Sequence, residues 1–208
     1  PPPPFITSKL QQDAARQFGF PVAKTMRLAQ GLYEGREIGD AGTVGLISYM
    51  RTDSTRISDE AIAAVRAHIA LAYGEHALPE QPRRYRAGKG AQEAHEAVRP
   101  TDVTRTPDSL KGQLGTPLHR LYDLIWRRFV ACQMTPEVTE SLTVNFACED
   151  SVFRATGNKV LFPGFTEIEK LSKSEKHSLP ALKEGDKVSV TELKPEQHFT
   201  SPPPRFND

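Results

Sequence analysis

Apolar side chains in the first half of the chain recur at the three- and four-residue spacing of amphipathic helices. Thr7 or Ser8 can cap a segment running to Phe18, and Gly19 can close it. Pro21 then opens a second helix with Val22, Met26, Ala29 and Tyr33 on one face. Two short helices joined at a glycine form a helix-turn-helix-like pair. Farther on, Ser58 has the side chain of an N-cap, Asp59 and Glu60 complement the helix dipole, and Ile57 with Ile62 fits a hydrophobic staple. That helix should continue through Val65 and Ile69 to about Tyr73. Thr116 followed by Pro117 starts another, carrying Leu118, Leu121, Ile125 and Phe129.

Between these segments the pattern breaks. Gly35, Gly39, Gly42 and Gly45 read as a loop, and residues 74 to 105 read as mostly loop with a turn of helix around Gln92 to Ala97. Past Pro136 the period changes to two, with Leu142, Val144 and Phe146, then Val152 and Phe153, then Val188 and Val190 before Leu193. Gly157 with Asn158 and Gly185 with Asp186 are the expected turns between strands. The expected class is α+β: a mainly helical domain with helix-turn-helix-like elements over residues 1–135, then a small antiparallel β-rich segment over residues 136–208. The proline runs Pro1–Pro4 and Pro202–Pro204 read as extended linkers at both ends.

Composition adds little. A hydrophobic share of 38% is too high for a fully disordered chain. A net charge of +1 neither demands nor forbids a nucleic-acid partner, so the distribution of charge has to decide. No apolar run approaches the roughly 20 residues of a membrane helix, and no leader pattern is present, which gives a cytoplasmic expectation. Cys132 and Cys148 stand alone, with no CxxC pair and no histidine cluster, and are expected to be reduced core residues.

The densest group of reactive side chains is Gly45 to Ser58, GLISYMRTDSTRIS, at a loop-to-helix junction. A phenol is a weak nucleophile at its ordinary pKa near 10, so a catalytic tyrosine needs cationic neighbours or a base. Arg51 lies two residues past Tyr49 and, on extended backbone, shares its face. Its guanidinium matches phosphate oxygens in a bidentate fork and keeps its charge. By themselves these residues favour the plainer reading, a packed tyrosine and a surface cation, because a tyrosine near an arginine is common. Arg83, Arg84, Arg86 and Lys89, with Tyr85 among them, form the one compact basic run, which fits a phosphate-contacting loop or a solvated one.

The string LISYMRTDS closely resembles the active-site signature of bacterial type IA DNA topoisomerases. Segments similar to the same family follow in the same order: TSKLQQDAARQFGF with KTMRLAQGLYEG, then AQEAHEAVRPTD, then LYDLIWRRFVACQMTP, and the tail VTELKPEQHFTSPPPRF. The methionine after Tyr49 resembles the topoisomerase I form rather than the topoisomerase III form. The resemblance implies that Tyr49 attacks a DNA phosphate to form a 5′-phosphotyrosine, that Arg51 contacts the scissile phosphate, and that His95 helps to position it. Thr52 and Ser54 are expected to donate to backbone or phosphate oxygens. Asp53 either orients Arg51 through a carboxylate pair or serves a local turn.

The family also implies Mg²⁺ held by a DxDxE cluster on a separate Toprim domain. No DxDxE occurs in this sequence, so none of its residues is expected to ligate metal, and these 208 residues are expected to be an incomplete part of the enzyme, inactive alone. The resemblance further implies that residues 136–208 contribute part of a strand-rich arch, with single-stranded DNA and the remaining domains as partners. The competing reading is a noncatalytic helix-turn-helix-like DNA-binding module, which would grip duplex DNA independently of Tyr49.

Overall fold

The computed structural model describes residues 1–85, 95–169, 179–192 and 194–202. Four helices carry the core: α1 (Thr7–Phe18), α2 (Val22–Glu34), α3 (Asp59–Tyr73) and α4 (Thr116–Ala131). α4 is the hub. Its buried residues include Leu121, Tyr122, Leu124, Ile125, Trp126, Phe129 and Val130, and it packs against α1, α2 and α3. Leu10 and Ala14 of α1, Ala29 and Leu32 of α2, and Val65 and Ile69 of α3 are all fully shielded from solvent. The stripes read on α3 and α4 therefore face one shared core, whereas on α2 only Ala29 of the expected face is fully buried and Val22 and Tyr33 are exposed, at 57% and 42%.

The helix boundaries follow local chemistry. Gly19 adopts a left-handed conformation, and its N–H and that of Phe20 close onto the Ala15 and Ala14 carbonyls, the Gly19 bond being that of an αL cap. Ser58 caps α3, its hydroxyl accepting the Ala61 N–H, and Ile57 and Ile62 are both buried beside it. Neither Thr7 nor Ser8 caps α1, which begins after Ile6 with no side-chain cap. Thr7 is the first helical residue, and its hydroxyl is turned toward another segment. α4 begins at Thr116, where the sequence placed its start, with Gly115 as the N-cap.

The glycine-rich stretch after α2 is more ordered than a loop. β1 (Arg36–Glu37) and β2 (Thr43–Val44) pair antiparallel around a single 3-10 turn. Beyond α4, β3 (Val138–Cys148) and β4 (Ser151–Phe162) form a long antiparallel hairpin. Leu142, Val144 and Phe146 pair with Gly157, Ala155 and Phe153. The expected turn at Gly157 and Asn158 is in fact inside β4. The chain reverses instead at Glu149 and Asp150, with Glu149 taking a positive φ of 50°. Gly185 and Asp186 do form a turn, closed by the Asp186 N–H on the Lys183 carbonyl. Val188 and Val190 are exposed and belong to no strand.

Two further expectations are corrected by packing. Cys132 is buried, with burial pushing its thiol up to about 12, whereas Cys148 is exposed at the hairpin tip. At the N-terminus, Pro4 is buried, and Phe5, fully buried, pairs with Val98. That proline run is packed onto the body rather than a free linker. Arg86, Lys89, Gln92, Leu193, Pro203 and Pro204 lie outside the described residues.

The hairpin rejoins the helices through residues 163–169. Arg128 of α4, only 7% exposed, bridges the Glu169 carboxylate and Asp13 of α1, and lies 4.3 Å from the centre of the Phe5 ring. The adjacent Arg127 donates to the Ile168 carbonyl. Glu169 Oε2 is buried with no hydrogen-bond partner among the described residues, and burial raises the Glu169 pKa against the opposing pull of Arg128.

Candidate active site

Leu46, Ile47 and Met50 are buried, so the segment that carries Tyr49 is anchored in the core on both sides of the tyrosine. Leu46 N–H donates to the Leu32 carbonyl at the end of α2, and the Leu46 carbonyl accepts the Thr101 N–H. Ser48 joins residues 97–99: its N–H reaches the Arg99 carbonyl at 2.8 Å, and its hydroxyl donates to Ala97 O at 2.7 Å and accepts the Arg99 N–H at 2.9 Å. These bonds hold the stretch containing His95 beside the stretch containing Tyr49, 46 positions apart in sequence.

The Tyr49 ring is the exception to this burial, at 41% exposed. It lies edge-on between two aromatic neighbours, with ring centres 5.4 Å from Tyr33 and 5.6 Å from His95. An aromatic ring fixed on two sides has little rotational freedom, while its exposure leaves the phenol available to a ligand. His95 also lines an open depression of about 480 Å³ together with Ile6, Thr7, Ser8, Arg51, Thr52 and Asp53. The N-terminus of α1 opens onto this depression. A helix start presents unpaired N–H groups and the positive end of the dipole, which suits an anion.

Arg51 is exposed and makes no hydrogen bond or ion pair with any described residue, so its guanidinium is free for a ligand. Asp53 lines the same depression but forms no ion pair with Arg51, which removes the carboxylate pairing expected of it. Thr52 and Ser54 are 6% and 1% exposed, and their hydroxyl oxygens accept the Ser54 and Arg56 N–H groups. They shape the loop from inside it, with both side chains buried.

Arg83 and Arg84, the described cations of the basic run, are engaged elsewhere. Arg83 donates from Nε to the Met134 carbonyl, and its backbone exchanges hydrogen bonds with the Gln133 side chain. Arg84 pairs with Asp59 at 2.6 Å, and the Tyr85 hydroxyl donates to the Cys132 carbonyl. Arg83 and Arg84 line a separate small depression with Arg56, not the one that holds Arg51 and His95. Glu96, next to His95, accepts the Ser58 N–H at 2.7 Å and two Arg99 bonds at 3.0 and 2.6 Å. Burial opposes its ionisation, but these partners outweigh burial and lower its pKa.

Three contributors carried no role at the site in the sequence reading, which placed Thr7 as a helix cap and Tyr33 on a helix face: Tyr33, Ser48 and Thr7. All sit inside segments that resembled the family, yet their partners are remote in sequence and only the fold reveals them.

A tyrosine in contact with a histidine that shares a depression with an arginine unpaired among the described residues, at a helix start, can supply a nucleophile and a cationic cradle to a phosphate. A family model described as DNA topoisomerase matches residues 1–208, and the chain belongs to that family. DNA topoisomerase 1 of Xylella fastidiosa is 47% identical over 218 aligned residues, covering 100% of this chain and 27% of that protein. DNA topoisomerase 1 of Rickettsia conorii is 47% identical over 216 residues, covering 100% of this chain and 28% of that protein. The full-length topoisomerase I structure from Thermotoga maritima matches with a TM-score of 0.74 and 38% identity, covering 88% of this chain and 29% of that one. The chain thus spans little more than a quarter of the length of these curated relatives.

Proposed function

We propose that this chain carries the nucleophile and phosphate-binding groups of a bacterial type IA topoisomerase, an ATP-independent enzyme that relaxes negative supercoils. The observation that carries the reading is the half-exposed Tyr49 ring, edge-on to Tyr33 and His95, with His95 lining the same depression as Arg51, which has no side-chain partner among the described residues. The phenol of Tyr49 gives up its proton and attacks a phosphate of single-stranded DNA. A bond forms between Tyr49 Oη and phosphorus, the bond from phosphorus to O3′ breaks, and O3′ leaves as a free hydroxyl. Arg51 neutralises the charge that builds on the phosphate oxygens, and His95 orients the phosphate. Religation is the reverse attack by the 3′ hydroxyl. The phosphotyrosine conserves the energy of the broken bond, so no nucleotide hydrolysis is needed.

The carboxylates near Tyr49 do not fit a Mg²⁺ site. Glu96 is committed to Arg99 and Ser58, and no three His, Cys, Asp or Glu side chains come together among the described residues. No step above runs through a metal, and this reading assigns the Mg²⁺ ligands to a Toprim portion of the longer protein. Among the described residues no helix is long and apolar enough to cross a membrane, and the proposed place of action is chromosomal DNA in the cytoplasm.

Relaxation of negatively supercoiled plasmid by the full-length protein, compared with Tyr49→Phe and Arg51→Ala, tests this. The expected result is loss of relaxation and of the protein–DNA adduct on denaturing gels in Tyr49→Phe. Relaxation by Tyr49→Phe would overturn the reading, and duplex binding indifferent to both substitutions would favour the noncatalytic binding module.

A further inference from the structure

We propose that Thr7 is a positioning residue for Arg51, a role that rests on the function proposed above. Arg51 has no side-chain partner among the described residues, so the direction of its guanidinium is set by the backbone on either side of it. Thr7 holds that backbone. Its Oγ1 lies 2.8 Å from the Met50 carbonyl, 2.9 Å from the Thr52 carbonyl and 2.8 Å from the Thr52 nitrogen. The Thr7 N–H also reaches the Thr52 carbonyl, at 2.9 Å.

A hydroxyl has one proton, and these four contacts sort themselves by chemistry. The backbone N–H of Thr7 serves the Thr52 carbonyl, which leaves the hydroxyl proton for the Met50 carbonyl. The hydroxyl oxygen then accepts the Thr52 N–H. One threonine thereby grips the residue before Arg51 and the residue after it, closing a hydrogen-bonded ring around the arginine. The flanking residues Met50 and Thr52 are themselves buried, at 1% and 6% exposed, so the ring cannot shift without disturbing the core. Thr7 is also the first residue of α1, so the same ring fixes Arg51 relative to the helix start that lines the depression.

A threonine at this place in a helix would ordinarily serve as a cap or face solvent. Here the cap position belongs to Ile6, and the hydroxyl uses its proton and one lone pair on a segment 43 to 45 residues away. The arrangement contributes nothing to the polarity of the depression itself. It controls where Arg51 starts from.

The test uses full-length protein and a labelled single-stranded oligonucleotide, measuring the rate of covalent adduct formation at saturating DNA and, separately, the affinity for that DNA. Thr7→Val keeps the shape and removes the hydroxyl; Thr7→Ser keeps the hydroxyl. Thr7→Val is expected to slow adduct formation roughly 10- to 100-fold, the scale of a misplaced catalytic group. Affinity should change by no more than about twofold, and Thr7→Ser should restore the rate to within about twofold. In an Arg51→Ala background Thr7→Val should have no further effect, because the two residues act through one another. Wild-type adduct formation by Thr7→Val, an equal loss in the Arg51→Ala background, or failure of Thr7→Val but not Thr7→Ser to fold would overturn the role. Tyr49→Phe is the control for the underlying reading: if it still forms adduct, the proposed chemistry fails and the role of Thr7 fails with it. If it does not, a normal Thr7→Val rejects the role of Thr7 alone.

Discussion

Replacing Arg128 with methionine removes the guanidinium that hydrogen-bonds Glu169 and leaves the N-terminal ammonium as the remaining nearby cation among the described residues, and the consequences can be worked out from the contacts. Asp13, the other partner of Arg128, keeps Arg16 at 3.2 Å and stays paired. The Phe5 ring keeps a contact, because a thioether packs well against an aromatic face. Glu169 keeps no hydrogen bond among the described residues, since its second oxygen already has no partner there, and only the more distant N-terminal charge still favours its ionised form. Leaving a buried carboxylate uncompensated costs about 3–5 kcal/mol at neutral pH. For a chain of this size each kilocalorie moves the melting temperature by about 2–4 °C, so Arg128→Met should melt roughly 6–20 °C lower.

The cost must also depend on pH. Burial already raises the Glu169 pKa above 4.5 in the wild-type fold, and loss of Arg128 raises it further. A carboxyl with a raised folded-state pKa contributes most to stability when protonated, and that contribution is lost as pH rises through the folded pKa. Thermal unfolding followed by circular dichroism at pH 5 and pH 8 should therefore show a smaller deficit for Arg128→Met at pH 5. Adding Glu169→Gln should recover part of the loss at pH 8 and flatten the dependence. An equal deficit at both pH values, or a double variant no better than the single one, would refute the reasoning.

Gly164→Ala should be among the most damaging single-methyl changes. A Cβ there would sit 2.3 Å from the Pro136 carbonyl oxygen, at a φ of +52°, so a loss of at least about 2 kcal/mol in denaturant unfolding is expected. Ser58→Ala removes the cap of α3 and should cost about 1 kcal/mol, a melting shift of about 2–4 °C. Glu96 behaves oppositely to Glu169. Its folded pKa is lowered, so its contribution is present above pH 4.5 and lost as pH falls through the folded value, and Glu96→Gln should flatten the acid limb of a stability profile.

The helices were legible because their signals are local. The stripe on α4, the Pro117 start, the Gly19 stop and the Ser58 cap each work within one or two turns, and all four helices appear where the periodicity placed them. The alternation of Leu142, Val144 and Phe146 likewise marked β3. Turns were harder, because glycine is a permissive signal rather than an exclusive one. Gly157 stands in mid-strand opposite Leu142, while the actual reversal uses Glu149. Val188 and Val190 alternate like strand residues but have no partner strand among the described residues. Alternation creates an edge, and a second chain segment must satisfy it.

For the candidate site, the motif around Tyr49 was visible, but not how its parts divide their work. Thr52 and Ser54 read as donors to DNA because a hydroxyl beside an arginine suits phosphate, yet burial turns both toward backbone N–H groups. Arg83 and Arg84 read as a basic patch because their partners, Met134 and Asp59, lie 51 and 25 residues away. Thr7, Ser48 and Tyr33 were silent for the same reason, as their roles exist only once the 5–7, 33, 46–54 and 95–101 segments meet.

The measurement that bears most directly on the central claim is mass-spectrometric mapping of the covalent adduct, trapped on a single-stranded oligonucleotide labelled separately at each end. The account predicts one DNA-linked peptide, containing Tyr49 within LISYMR, joined to the fragment that bears the newly made 5′ end, with a free 3′ hydroxyl on the released piece. Linkage through any other residue, or attachment to the 3′ side of the break, would contradict it.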